Sequence, residues 1–255
     1  MHKDQVRFGS NLWDMGPKRL ELAEDEVHVW HAFLECGAIA FRQFEATLSS
    51  DEKARANRFF FQRDRVRFIT TRGILRELLG RYLKRAAADL EFEYGPQGKP
   101  ALSTKSSQES VHFNVSHSHG IALLAFTVGP ELGVDVELVR QFGGLEIAER
   151  YFSPREVMEL NRLHSSQQDE GFFLCWTRKE AYLKARGEGL HVPLKSFHVT
   201  LTPGKPERLE TKDGLQWSLY SLRPDAHYVG ALVGEGKGWK LHCWHWRPPD
   251  EAPSS

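Results

Sequence analysis

The sequence has 255 residues, with 34 lysine and arginine residues balanced by 34 aspartate and glutamate residues. That length fits one large domain or two small ones and can bury a substantial core, while the neutral balance excludes wholesale binding of nucleic acid or membrane through net charge. Three cysteines, Cys36, Cys175 and Cys243, are odd in number and widely spaced, which fits neither a disulfide framework nor a cysteine zinc site.

The opening stretch, MHKDQVRFGSNLW, has no apolar run of signal-peptide length, and no later stretch is long and apolar enough to span a bilayer. A soluble protein of a reducing cytoplasm is the expectation. Residues 26–34, EVHVWHAFL, alternate as a first strand. Ser49 and Glu52 stand at capping-box spacing ahead of a helix. From Val66 to Lys84, Phe68, Ile69, Leu75, Leu78, Leu79 and Leu83 form a helical apolar stripe with arginines between them. EYGPQGKPAL is a turn leading into an extended piece, and residues 111–128 read as a hairpin whose two strands are joined by SHSHG.

LGVDVELV then alternates as another strand, and residues 144–164 and 170–186 read as helices. The first of these is interrupted near Ser153 and Pro154, which can cap and restart it. Beyond Pro193, the runs SFHVTL, WSLYSL, HYVGALV and WKLHCWHW have strand character. No sequence repeat is present, but the order strand, helices, strands occurs twice. An α+β fold of two similar subdomains follows, each a small sheet on helices, with boundaries at 1–128 and 129–247 and a flexible tail at 248–255. A seam between such halves favours a ligand cleft.

Two constellations stand out on these elements. In GVDVEL, alternation points Asp135 and Glu137 to one side of the strand, separated by about 7 Å at a rise of ~3.3 Å per residue. A solvated edge strand would explain them, and so would a hard divalent cation such as Mg²⁺, which takes one or two carboxylates together with water and phosphate oxygens. In WTRKEAYLKARGEGL, Trp176, Glu180 and Lys184 share one helical stripe. Glu180 and Lys184 alone make an ordinary surface pair, but the tryptophan marks a buried or cleft-facing side. If that stripe meets the strand of Asp135 and Glu137, three carboxylates and a lysine converge, and the acids repel unless a cation lies among them. Gly187 or Gly189 can close the helix in the left-handed conformation.

FNVSHSHG offers Ser116, His117, Ser118 and His119 as phosphate ligands in a hairpin loop, and Asn114 as a satisfier of buried backbone groups. No G-x-S-x-G elbow surrounds Ser116, which excludes a hydrolase triad of that kind. Between Asp51 and Arg85, eleven basic residues face four acidic ones, interleaved with Phe59, Phe60, Phe61 and Phe68 at spacing that fits a helical core better than a base-stacking platform. No P-loop or G-x-G-x-x-G is present.

Taken together, DEKARANRFFFQRDRVRFITTRGILR, GKPAL, FNVSHS, GVDVE and WTRKEAYLKARGEGL resemble, in order and separation, the motifs of Sfp-type 4′-phosphopantetheinyl transferases; the likeness spans about residues 26 to 195. The resemblance implies a pseudodimer of two subdomains with coenzyme A in the cleft between them. It also implies transfer of the phosphopantetheine arm to a serine of an apo acyl or peptidyl carrier protein, with release of adenosine 3′,5′-bisphosphate. Asp135, Glu137 and Glu180 would then hold Mg²⁺, and Lys184 would contact the coenzyme A phosphates. Ser116 would meet the pyrophosphate, and His117, Arg55 and either Arg67 or Arg72 the 3′-phosphate, with Lys99 on the adenine side. Val136 stands where some relatives bring a further carboxylate.

The base for the serine proton stays open between Glu180 and a water on the cation. A monomer is expected, because one chain holds both sides of the cleft, with neither nucleic acid nor membrane as a partner. The rival readings are a non-catalytic coenzyme A binding module and a Mg²⁺-dependent phosphodiesterase or nuclease, but a pure binder of a polyanion gains nothing from three carboxylates.

Overall fold

The computed structural model describes residues 13–95, 98–103, 111–129, 131–187 and 192–248. In chain order the first elements are β1 (Asp14–Met15), β2 (Glu26–Phe33), α1 (Ala38–Thr47), α2 (Ser50–Ala56) and α3 (Gln62–Leu83). The middle of the chain holds β3 (Phe92–Tyr94), β4 (Pro100–Leu102), β5 (His112–Ser118), β6 (Ile121–Thr127) and β7 (Leu132–Leu138). Three helices follow, α4 (Leu145–Tyr151), α5 (Pro154–Arg162) and α6 (Ser165–Arg186), and then β8 (His198–Val199), β9 (Leu209–Glu210), β10 (Trp217–Leu222), β11 (Tyr228–Glu235) and β12 (Lys240–His245).

A five-stranded sheet has the order β1-β12-β2-β6-β5, and a three-stranded sheet the order β10-β11-β7. Alternation decides what each face buries. In β6, Ala122, Leu124 and Phe126 turn toward the core under α3, while Ile121, Leu123 and Ala125 turn toward Val134, Val136 and Leu232 of the smaller sheet. The outer face of β11, with Val229, Ala231 and Val233, packs on Phe173, Ala181 and Ala185 of α6. The layers are therefore helix, sheet, sheet and helix, a mixed α+β fold with sheets covered by helices.

Three expectations need correction. The strand Lys240–His245 lies not with residues 129–239 but in the larger sheet, parallel to β2; its Cys243 joins the apolar layer between the sheets, and its neighbour Trp246 is buried beside α1 and α3. Ser116, His117 and Ser118 belong to strand β5, leaving His119 and Gly120 as the turn; the pairing runs unbroken to Ser118 opposite Ile121. Phe59, Phe60 and Phe61 precede the first residue of α3 and are exposed, Phe60 by 91%, so only Phe68 of the four enters the core. The tail beyond residue 248 and Gly189 lie outside the described residues.

Each long helix is anchored by a buried ion pair. Ser49 and Glu52 form the capping box of α2, and the Glu52 carboxylate also meets Arg76 of α3 at 2.7 Å. Arg76 in turn donates to the carbonyls of Ala87 and Leu90. Ser153 and Glu156 form the capping box of α5, and Glu156 meets Lys179 of α6 at 2.8 Å. Lys179 then donates to the carbonyls of Leu194 and Phe197.

Candidate active site

The site begins at a seam between the sheets. β5 and β7 run side by side in the same direction, and side chains rather than a backbone ladder join them. The backbone amide of Val134 donates to Asn114 Oδ1 at 3.0 Å, Ser116 Oγ donates to Asp135 Oδ1 at 2.7 Å, and Ser118 Oγ donates to Glu137 Oε2 at 2.6 Å. Small polar side chains on alternate residues of β5 thus meet successive groups of β7.

The same alternation turns Gly133, Asp135 and Glu137 toward α6. A Cβ on Gly133 would overlap the Ala181 carbonyl and the Ala185 amide, so glycine is what lets the two backbones approach. That approach carries Lys184 onto the strand: its ammonium group lies 2.6 Å from Asp135 Oδ1 and 3.2 Å from the Val134 carbonyl. Gly187 closes the helix at φ 67°, the left-handed cap the sequence suggested. Trp176, the third member of the stripe, stacks on Phe172 and packs edge-on to Tyr151, holding the upper part of the helix against the core.

Asp135 is only 5% exposed, which removes the reading of β7 as a solvated edge. Its Oδ1 accepts from Ser116 and Lys184, whereas its Oδ2 is buried without a hydrogen-bond partner. Burial first, then the negative charge of Asp135, raises the pKa of Glu180 against the opposing pull of Lys184. Glu137 is also raised, by burial first, with the Ser118 hydrogen bond lowering it and Asp135 raising it. Three oxygen-donor carboxylates therefore share one electrostatic site, two of them held above their ordinary range and one with an orphaned oxygen. A hard divalent cation fits that donor set, because it would satisfy the orphan and relieve the repulsion together.

Lys99 Nζ donates at 3.0 Å to the Lys184 carbonyl and pairs with Glu131 at 3.0 Å, tying the loop before β4 to the end of α6. A cleft of about 270 Å³ opens there, lined among others by Lys99, Pro100, Val115, Glu180, Leu183 and Lys184. His117 is exposed beside it; the surrounding protein, then the charges of Lys184 and Arg67, hold its imidazole below the ordinary pKa.

The structure separates the two arginines that the sequence left equivalent. Arg67 stands near His117, whereas Arg72 is buried, pairs with Glu52 at 3.2 Å and packs against the rings of Phe68, Phe92 and Tyr94. Arg55 belongs to this second cluster, with its guanidinium 5.5 Å from the Phe68 ring centre. Sequence reading missed Glu131 and the part Ser118 plays in holding Glu137; the equal spacing of Ser116 to Ser118 and Asp135 to Glu137 was the available signal for the latter.

The profile of the 4′-phosphopantetheinyl transferase superfamily matches residues 131–233, and that of the 4′-phosphopantetheinyl transferase N-terminal region matches residues 37–128. The 4′-phosphopantetheinyl transferase HetI of Nostoc sp. is 42% identical over 237 residues, covering 92% of this chain and 99% of its own. The 4′-phosphopantetheinyl transferase ffp of Bacillus subtilis is 30% identical over 192 residues, covering 70% of this chain and 84% of its own. The 4′-phosphopantetheinyl transferase Sfp of Bacillus subtilis is 30% identical over 171 residues, with 67% and 74% covered. Both halves of the chain answer to one family, and HetI matches it along nearly its whole length: the chain belongs to the 4′-phosphopantetheinyl transferase superfamily.

Proposed function

We propose that this transferase moves the 4′-phosphopantetheine arm of coenzyme A to a serine of an apo acyl or peptidyl carrier protein at the seam between β5, β7 and α6. The observation that carries the reading is the bond of Lys184 to Asp135, with Glu137 and Glu180 in the same electrostatic field, beside a cleft lined by Lys99, Glu180 and Lys184. Asp135, Glu137 and Glu180 would hold Mg²⁺, which when bound supplies Lewis-acid stabilisation of the charge that develops on a diphosphate.

The chain's own groups do the rest. Lys184, fixed by Asp135 and the Val134 carbonyl, presents an ammonium group to the same charge from a position set before substrate arrives. His117 and Arg67 offer a polar and a positive group on the adjoining surface, suited to the 3′-phosphate. Lys99, held at the cleft by the Lys184 carbonyl and Glu131, would take the adenine side. Ser116 orients Asp135 through its hydroxyl and lies within reach of the pyrophosphate region. Arg55 and Arg72 flank Phe68 and extend the basic surface; of the two alternatives for the 3′-phosphate, the position of Arg67 beside His117 favours Arg67.

In the reaction, the carrier serine oxygen forms a bond to the pantetheine-side phosphorus, and the bond to the departing adenosine 3′,5′-bisphosphate breaks. The serine proton passes to a general base: Glu180, its pKa raised by burial and by Asp135, is suited to take it only where Asp135 and Glu137 carry the cation, and otherwise the proton leaves through water.

The two halves are read as a pseudodimer. In each, the acid of a capping box is buried against a cation of the following long helix, Glu52 with Arg76 and Glu156 with Lys179, and each cation also holds two carbonyls just beyond its helix. The proposed units are residues 13–128 together with β12, and residues 129–239. A monomer is proposed because one chain supplies both walls of the cleft. A cytoplasmic setting is proposed from three free cysteines, and among the described residues no helix is long and apolar enough to cross a membrane.

Incubating the protein with coenzyme A, Mg²⁺ and a panel of apo carriers, followed by mass spectrometry, is the test. Attachment of a phosphopantetheine arm to a carrier serine supports the reading; consumption of coenzyme A with every carrier left unmodified overturns it.

A further inference from the structure

A second cluster of ligating side chains lies away from the cleft, on the face of the larger sheet that packs toward the end of α3. Glu26 and His28 are two residues apart on β2, and His242 of β12 is the direct register partner of His28. Parallel pairing and alternation therefore put all three side chains on one face. His28 Nε2 is 3.4 Å from Glu26 Oε2, and His242 Nε2 is 3.6 Å from Glu26 Oε1. With one donor atom taken from each residue, all three lie within 4.8 Å of one another.

These separations point to a metal. A charge-assisted hydrogen bond between imidazole and carboxylate closes to roughly 2.7–2.9 Å, which neither pair reaches. Tetrahedral ligands at bond lengths of about 2.1 Å stand about 3.4 Å apart along each edge, and the two histidine nitrogens lie near that separation, each from a different oxygen of Glu26.

The surroundings fit as well. Both histidines face the carboxylate through Nε2. The other nitrogen of His28 is held by the Tyr82 hydroxyl at 2.9 Å, and that same oxygen accepts from Trp30 Nε1 at 2.9 Å. The direction of the His28–Tyr82 bond depends on the tautomer, and it is the one with Nδ1–H donating to the Tyr82 oxygen that a metal on Nε2 would select. His242 is fixed by stacking on Trp244, and the Ala23 amide donates to Glu26 Oε2. A hollow of about 250 Å³, bordered by Pro17, Arg19 and Glu21, leaves room for a further water ligand.

We infer that Glu26, His28 and His242 form a site for a borderline divalent cation, zinc above all, that clips the returning strand β12 to β2. Two imidazoles and one carboxylate select zinc over Mg²⁺, which prefers an all-oxygen shell. The site shares no residue with the acidic cluster of the cleft, so the two metals would bind independently. Its role is structural, because the cation would bridge residues more than two hundred positions apart in sequence.

The experiment uses the full chain without a histidine tag, stripped with chelator and dialysed against zinc in excess Mg²⁺. Bound zinc is measured by mass spectrometry of the metal, and cobalt serves as a visible-absorption probe of tetrahedral geometry. One zinc per chain is expected, with a rise in unfolding temperature. Changing a group that merely orients a ligand weakens a metal by ~10–100-fold, so His242→Ala, which removes a direct ligand, is expected to weaken zinc by about 100-fold or more and to abolish the thermal shift. Because His242 is half-exposed, that variant should keep its metal-free unfolding temperature and its transferase activity; His242→Gln provides the same test if it does not. Asp135→Asn should retain the zinc. Zinc held equally by wild type and both His242 variants, or a wild type that retains none, overturns the inference.

Discussion

Lys184 Nζ and Ser116 Oγ both sit on Oδ1 of Asp135, at 2.6 and 2.7 Å, while the other oxygen of that carboxylate is buried without a partner. One oxygen thus fixes the side chain and the other stays available. Asp135→Asn keeps the shape but removes the charge that attracts both Lys184 and a cation. Removing one preorganised electrostatic group of this kind lowers kcat by ~10²–10³, and at least that loss is expected in carrier-modification assays, with the unfolding temperature within a few degrees of wild type.

Among the described residues, Lys184 is the cation bonded directly to Asp135 of the acidic cluster. Lys184→Ala leaves Asp135 without its ammonium partner and is expected to lower kcat by about 10² or more. Binding of coenzyme A, followed by calorimetry, is expected to weaken less, because Lys99 remains in the cleft and His117 and Arg67 remain near one another beside it. An effect confined to coenzyme A affinity with kcat unchanged would place Lys184 in binding alone.

The acids also set a pH response. Burial and mutual repulsion raise Glu137 and Glu180, so the folded chain holds these protons more tightly than the unfolded chain does. Their contribution to stability is therefore present at low pH and is lost as pH rises through the raised values. Metal binding needs them ionised and works in the opposite direction. In chelator, the unfolding temperature is expected to fall as pH rises through that range. With Mg²⁺, activity is expected to fall as pH drops through it and to recover partly at higher Mg²⁺, as pH profiles at two metal concentrations would show.

Local patterns in the sequence carried much of this site. Alternation in GVDVEL placed Asp135 and Glu137 on one face, and the four-residue step placed Glu180 and Lys184 on one stripe; the structure brings the two together. What sequence did not carry was long-range. Nothing local distinguishes Arg67 from Arg72, because the difference is a buried Glu52 contributed by another helix. Nor does anything in WKLHCWHW show that this strand crosses back to pair with β2, since the pairing is decided by which apolar face it completes. Nor does the basic run from 51 to 85 show in sequence which of its arginines turn inward, yet Arg72 and Arg76 are buried over one carboxylate.

Gly133 gives a test of the approach between strand and helix. A methyl group there overlaps backbone atoms of Ala181 and Ala185, which cannot rotate away as a side chain would. Overpacking of this kind costs about 1–3 kcal/mol or more, and relief requires α6 to move off β7. Gly133→Ala is expected to lower the unfolding temperature and, in the folded fraction, to lower kcat by pulling Lys184 away from Asp135. Unchanged activity with unchanged stability would show that the contact is not needed.

The buried pair of Glu156 and Lys179 tests how the second half holds the catalytic helix. Glu156 is fully buried, accepts from the Ser153 and Val199 amides and meets Lys179 at 2.8 Å, while Lys179 donates to the carbonyls of Leu194 and Phe197. Lys179 directly precedes Glu180, so this network fixes the rotation of α6 that aims Glu180 at Asp135. Removing one member of a buried pair costs about 3–5 kcal/mol because it strands the other charge. Glu156→Gln keeps much of the capping geometry but leaves the Lys179 ammonium group without a counter-charge; a loss in that range is expected by denaturant unfolding at neutral pH. Lys179→Met in the same background removes the stranded charge and is expected to recover part of the loss. A double variant no more stable than Glu156→Gln alone would show that the cap and the carbonyl contacts, rather than the ion pair, hold the helix.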